Sequence, residues 1–368
     1  MANLKLSLNG VNYLNIGLMF ISLVMAVTFP FELFLFAYAV LGPLHYMTEI
    51  GWLHNRNYFA LEKRDFIIPT ILCTFIGISM LLGLADGWES TKEMMVSLRA
   101  GAFGSVLELF DQYSTSFIFL AFTSAIFMVT VKNRYLRYGL ILAMIVPAYF
   151  LESYKTYQNW FAIFLPTIIH VSLFTALFIL FGALKSKSIS GYLSFGFYFL
   201  CVALIFMFDL DPKKYILSEE LYITYQKSTF ASLNIGLWEV LAPTSEIKSV
   251  EAAGMNLFKF LNLKLVLKIQ AFIAFAYTYH YLNWFSKTEI IRWHDVSKSW
   301  LAVTGVVWIV SVSLYYYDYR TGLLALFFIS MLHVFLEFPL NVQSIIGIGK
   351  ETLGRFTGGA AVAGSGKK

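Results

Sequence analysis

The chain reads as an all-α integral membrane protein, a polytopic bundle of about ten transmembrane helices, and three observations carry that reading. Of 368 residues, 58% are hydrophobic and only 13% charged, where a soluble globular chain carries about 25% charged residues; the mean hydropathy is +0.69. Apolar stretches long enough to cross a hydrocarbon core of about 30 Å recur along the whole sequence. Basic residues fall in alternate connections between those stretches, as the positive-inside rule requires. The formal net charge of +5 therefore reports topology and gives no reason to expect nucleic acid as a partner. Thirty-six Phe and 22 Tyr predict thick aromatic packing, interfacial belts, or a cavity lined with rings. Cys73 and Cys201 both fall in apolar stretches, so neither a disulfide framework nor a thiolate metal site is expected. No small-residue cleavage site follows the first apolar stretch, which reads as a retained helix.

Taken in order, the predicted spans are Leu14–Phe29, Phe31–Ile50, Phe66–Ala85, Ser114–Val131, Tyr138–Leu151, Trp160–Leu184, Tyr192–Leu210, Leu265–Phe285, Trp300–Tyr316 and Leu323–Ile345. They make one transmembrane domain, residues 1–353, followed by a flexible, Gly- and Ala-rich tail over 354–368. Pro30 suits a helix start, whereas Pro43, Pro166 and Pro339 fall inside helices, where a missing backbone donor kinks the chain. With both termini cytoplasmic, the inner loops hold Arg56, Lys63 and Arg64, then Lys132, Arg134 and Arg137, then Lys185 and Lys187, then Lys287, Arg292 and Lys298. The short outer loops hold Lys92, Arg99, Lys155 and Arg320. Such a protein belongs in a bacterial inner membrane. Two long outer connections, 86–113 and 211–264, contain amphipathic runs, among them Met94–Leu98, Val106–Phe110, Ile235–Leu241 and Met255–Phe260, which suit helices lying in the interface over the outer mouth of the bundle.

The chemistry centres on one repeated spelling. His45 is followed four residues later by Glu49, and His333 by Glu337; on a helix, i and i+4 share a face. His170 and His280 are the other histidines inside predicted spans. All four lie on spans running from outside to inside, at depths of roughly 21, 15, 22 and 15 Å from the span starts at about 1.5 Å per residue. They occupy one layer. Ionisable groups at such depth default to a functional role, and neutral imidazoles converging from several helices are ligands for iron, copper or zinc. The expected metal set is His45, His170, His280 and His333. Glu49 and Glu337 are the expected catalytic carboxylates, either orienting a neighbouring imidazole or ligating a second ion, as carboxylates do in di-iron bundles. Tyr46, Tyr277, Tyr279 and Asn283 flank the histidines as candidate donors or substrate contacts. His54 and His294 fall in cytoplasmic loops and read as solvated, or as a roof over the site.

On these four histidines and the polytopic architecture, the chain resembles the bacterial membrane carotene dioxygenases that cleave β-carotene to retinal. The resemblance implies iron held by intramembrane histidines and an oxygenase acting on a lipophilic substrate. In that family the first histidine precedes a Gly and an Asp, and a later pair is spaced His-xxx-His; this chain has neither and is longer. The expectation is a metal-dependent, iron-using oxidoreductase that employs oxygen on a carotenoid, isoprenoid or lipid, in contact with membrane lipids. Second to iron stands a two-metal centre, third a b-type haem with axial histidines. The rival of another class is a proton- or ion-coupled transporter using the His/Glu cluster as a relay.

Overall fold

The computed structural model describes residues 7–364 except 88, 216, 229 and 248–253. Among the described residues the protein is all-helical, with no strand. Its principal helices are α1 (Leu8–Thr28), α2 (Pro30–His54), α3 (Ile67–Gly87), α4 (Ser114–Thr130), α5 (Arg134–Leu151), α6 (Lys155–Ser186), α7 (Ile189–Met207), α8 (Lys264–Ser286), α9 (Lys298–Tyr317) and α10 (Tyr319–Gly364). Their starts follow local chemistry. Ser7, Asn133, Ser188 and Ser297 each accept a backbone N–H of the first turn through the side chain, which satisfies one of the donors that a helix start leaves free. Pro30 sits in the first turn of α2, where its missing N–H costs nothing. The last helix continues through residues 354–364, which composition assigns to the tail.

Among the described residues eight helices are long and apolar enough to cross a membrane, or nine if the bent pair Gly104–Gln112 and Ser114–Thr130, angled at 58°, makes one span. Helix α8, the eighth of the ten spans read from the sequence, has the length (23 residues) but is not among them. The reason is its position. Ile269, Ala271, Ala274, Phe275, Ala276 and Tyr279 are fully shielded, and α8 packs against α1, α2, α6 and α7. A helix enclosed by protein needs no apolar face toward lipid, so it can carry Gln270, Thr278, His280 and Asn283 inward, all buried.

The two ends of the bundle differ. Loops following α2, α4, α6 and α8 meet at one end: Arg56 donates to the Ile291 carbonyl (3.2 Å), Arg137 to Glu62 (2.8 Å), Asn12 to Ser190 (2.9 Å) and Ser286 to Asn15 (3.0 Å). This end, the basic face below, gathers the lysines and arginines that the sequence places on one side. At the opposite end lie the two long connections. Helices Glu89–Ala100 and Gly104–Gln112 fill the first and leave Met94, Val96 and Leu109 exposed. In the second, helix Phe230–Leu241 packs inward, with Gly236 against the Phe164 ring and Trp238 edge-on to Phe260 at 5.4 Å.

Two stretches of π-helix interrupt the histidine-bearing helices, Ala37–Leu41 in α2 and Asn159–Phe174 in α6. Each lies beside or around an interior proline, Pro43 or Pro166, where loosening the helix accommodates a missing donor and ring bulk. The third interior proline, Pro339, lies within the unbroken α10.

Candidate metal centre

Helices α2, α6, α8 and α10 bring His45, His170, His280 and His333 together at mid-bundle, each buried. Neighbouring rings stand edge to face around a closed circuit: His45–His280 at 4.8 Å between centroids, His280–His170 at 5.1 Å, His170–His333 at 5.3 Å and His333–His45 at 5.4 Å. The shared depth read from the sequence corresponds to a real cluster.

The carboxylates enter it differently from one another. Glu49 Oε2 lies 3.1 Å from His45 Nε2, and the same Nε2 lies 3.1 Å from His280 Nε2. Glu337 turns away from the histidine of its own helix to His170, with Oε2 3.5 Å from Nε2. Ligand atoms of His45, Glu49 and His333 all fall within 4.8 Å of one another, a group able to hold a metal ion. Two donors bound at about 2.0–2.1 Å to one ion at tetrahedral to right angles stand about 2.9–3.4 Å apart. Both 3.1 Å separations at His45 Nε2 match that spacing.

Hydrogen bonding leaves the cluster short of partners. His45 Nδ1, Glu49 Oε2, both ring nitrogens of His170 and Glu337 Oε2 have none. Buried polar atoms of this kind are costly unless paired or ligated to a cation. Two rings are anchored from behind. His280 Nδ1 meets Thr175 Oγ1 at 2.8 Å, and His333 Nδ1 donates to the Ser330 carbonyl. Such bonds to Nδ1 fix the ring and turn Nε2 toward the centre. Thr175 and Ser330 contact the cluster but are not among the residues singled out in the sequence. Thr175 follows His170 by five residues, about 140° round an α-helix, and only the π-helical stretch ending at Phe174 brings the two to one side.

Aromatic rings complete the enclosure. Tyr46 stacks on His333 at 4.3 Å and shares a 3.0 Å hydrogen bond with the Tyr281 hydroxyl. Trp284 stands edge-on to His45 and donates to Thr48 Oγ1 at 3.0 Å. Tyr279 and Asn283 lie toward the basic face, and Tyr277 toward the opposite one. His54 and His294 stay outside the cluster. Both are exposed, His54 bonded to the Tyr58 hydroxyl at 2.8 Å and His294 beside Trp293.

Cavities approach the cluster from two sides, and His280 lines both. The basic-face cavity, about 280 Å³, has His45, Glu49 and Glu337 in its wall with Asn12, Asn15 and Lys287. The other, about 310 Å³, is walled by Phe34, Tyr38, Tyr277, Phe230 and Phe327, with no Lys, Arg, Asp or Glu among the described residues that line it. Fold and site together define an all-helical protein whose apolar helices surround a buried cluster of four histidines and two glutamates. No protein-family model, curated protein or solved structure matches the chain.

Proposed function

We propose that this protein is an integral membrane oxidoreductase that holds iron in the His/Glu cluster and uses dioxygen on a lipophilic substrate. One observation carries the reading: donor atoms from four helices converge, buried, with too few hydrogen bonds and with spacings that suit a shared ion. Mixed imidazole and carboxylate donors with open positions are the set used by non-haem iron oxygenases. His45, His280, His333 and Glu49 would hold the ion, with His170 and Glu337 completing the set or holding a second one. Bound iron would bind and activate dioxygen, the electrons that reduce it coming from the substrate that is oxidised. The protein's own contribution is to fix the rings through Thr175 and Ser330 and to exclude bulk water with Tyr46, Tyr281 and Trp284. Apolar walls on both approaches favour a lipophilic substrate. Rings about 5 Å apart leave no slot for a porphyrin, which disfavours haem.

The membrane reading rests on the eight or nine apolar helices and on exposed Phe36, Leu142, Phe150 and Val306 around the bundle. Taking α8 as the enclosed tenth span puts the basic face in the cytoplasm with the N-terminus. A reporter fused after Arg137 is then expected on the cytoplasmic side, and one inserted near Lys227 on the other. Finding both on one side overturns the topology.

Elemental analysis beside a visible spectrum tests the function. Expected is iron at one or two ions per chain without a Soret band. A Soret band, or protein free of every transition metal, sinks the iron centre. The second result would favour a proton- or ion-coupled carrier, the reading supported by access to His280 from two sides.

A further inference from the structure

The basic-face cavity contains a feature that an iron centre alone does not use. Lys287 follows directly on the end of α8, two helical turns from His280, about 10 Å along the axis. It is half-buried in the cavity wall, and among the described residues its ammonium has no hydrogen-bond or carboxylate partner. Burial pulls its ammonium down to about 8, because a desolvated cation without a counter-charge is unfavourable. The cavity that Lys287 shares with the cluster is walled largely by apolar side chains, Phe178, Ile179 and Leu340 among them, and Asn283 lies between His280 and Lys287 along the chain.

Charge balance says what is missing. Glu49 and Glu337 together offset one divalent ion, the histidines being neutral as ligands. Among the described residues Lys287 is then one positive charge in excess in the cavity wall, where uncompensated charge is costly. A monoanion cancels it, whereas a doubly charged phosphate leaves a negative excess. Among the described residues the aromatic cavity has no cation for such a group, and it suits a small neutral reactant such as dioxygen.

We propose that the basic-face cavity binds a single-chain lipid carboxylic acid, with the carboxylate on Lys287 and the chain along the apolar wall toward the His/Glu cluster. This rests on the metal reading of the cluster, and it assigns Lys287 as a specificity-determining residue for an acid over an alcohol or ester.

The test uses the full-length protein in phosphatidylcholine nanodiscs, with oleate, oleyl alcohol and acetate as probes and iron measured on every sample. Oleate is expected to bind the native protein and to bind Lys287→Met at least about tenfold more weakly, since a hydrogen bond to a charged group contributes about 1.5–3 kcal/mol. Lys287→Arg is expected to recover most of the loss, with iron content unchanged in both variants. Equal binding of oleate and oleyl alcohol, or unchanged oleate binding by Lys287→Met, overturns the proposal. Acetate competing as well as oleate also overturns it, by making this a site for small anions. Lys287-dependent oleate binding in protein that holds no metal keeps the headgroup site and retires the metal reading. An iron-loaded protein indifferent to oleate does the reverse.

Discussion

Replacing any one of His45, His170, His280 or His333 with alanine is expected to abolish stoichiometric metal retention, because each removes a donor from a closed circuit of rings. Glu49→Gln is expected to lose as much as a histidine variant. Its carboxylate does not sit behind an imidazole; it meets the same Nε2 of His45 that faces His280, both at 3.1 Å, the position of a fellow ligand. Thr175→Val provides the contrast. It removes only the partner of His280 Nδ1, and loss of such outer contacts weakens metal affinity by about 10–100-fold. This variant should keep metal at saturating supply and lose it during mild chelation. Metal content measured after a graded chelator wash reads all these variants on one scale. Full retention by the histidine variants would place the metal elsewhere. Retention by Glu49→Gln matching that of Thr175→Val would return Glu49 to a supporting role.

Arg137→Met is expected to cause the largest loss of stability among substitutions outside the cluster, about 3–5 kcal/mol. Arg137 is wholly buried where α5 begins at the basic face, and its guanidinium holds Glu62 at 2.8 Å, Asp65 at 3.2 Å and the Val131 carbonyl at 2.9 Å. Asp65 is itself buried; among the described residues its carboxylate, without the arginine, keeps only the Tyr138 hydroxyl at 3.0 Å as a side-chain partner. The cost arises from that stranded charge more than from the lost pair. Asp65→Asn in the same chain should therefore recover part of the loss. Thermal unfolding of the two variants beside the native protein decides the point, and a double variant no more stable than Arg137→Met alone would refute the stranded-charge account.

Two features at the basic face show where local sequence stops being informative. Asn57, Tyr58 and Phe59 all adopt φ near +50°, a conformation costing about 1–2 kcal/mol for each residue with a side chain. No glycine marks the place, and the turn is held by contacts from afar: Gln343 of α10 donates to the Phe59 carbonyl, and Tyr58 stacks on Phe66 at 5.0 Å. Lys287 likewise reads as one more loop cation until the surrounding helices place it in a cavity wall.

By itself the sequence determined the helical class, because runs of about 20 apolar residues have few other solutions. It also determined which residues reach the centre. Along one helix, rise and periodicity are set by backbone geometry, so four histidines at matched depths and a glutamate one turn beyond His45 and His333 are readable as text. Only the tertiary structure decided which donor meets which. Glu49 stays with the histidine of its own turn while Glu337 crosses to His170, although the two spellings are identical. That difference depends on the rotation and crossing angle of each helix, set by side chains meeting from distant parts of the chain. The same holds for Thr175, which follows a π-helical stretch and meets His280 of another helix. It holds as well for α8, which the sequence counts among the spans, but whose buried Gln270, Thr278, His280 and Asn283 become intelligible only once α1, α2, α6 and α7 are seen packed around it.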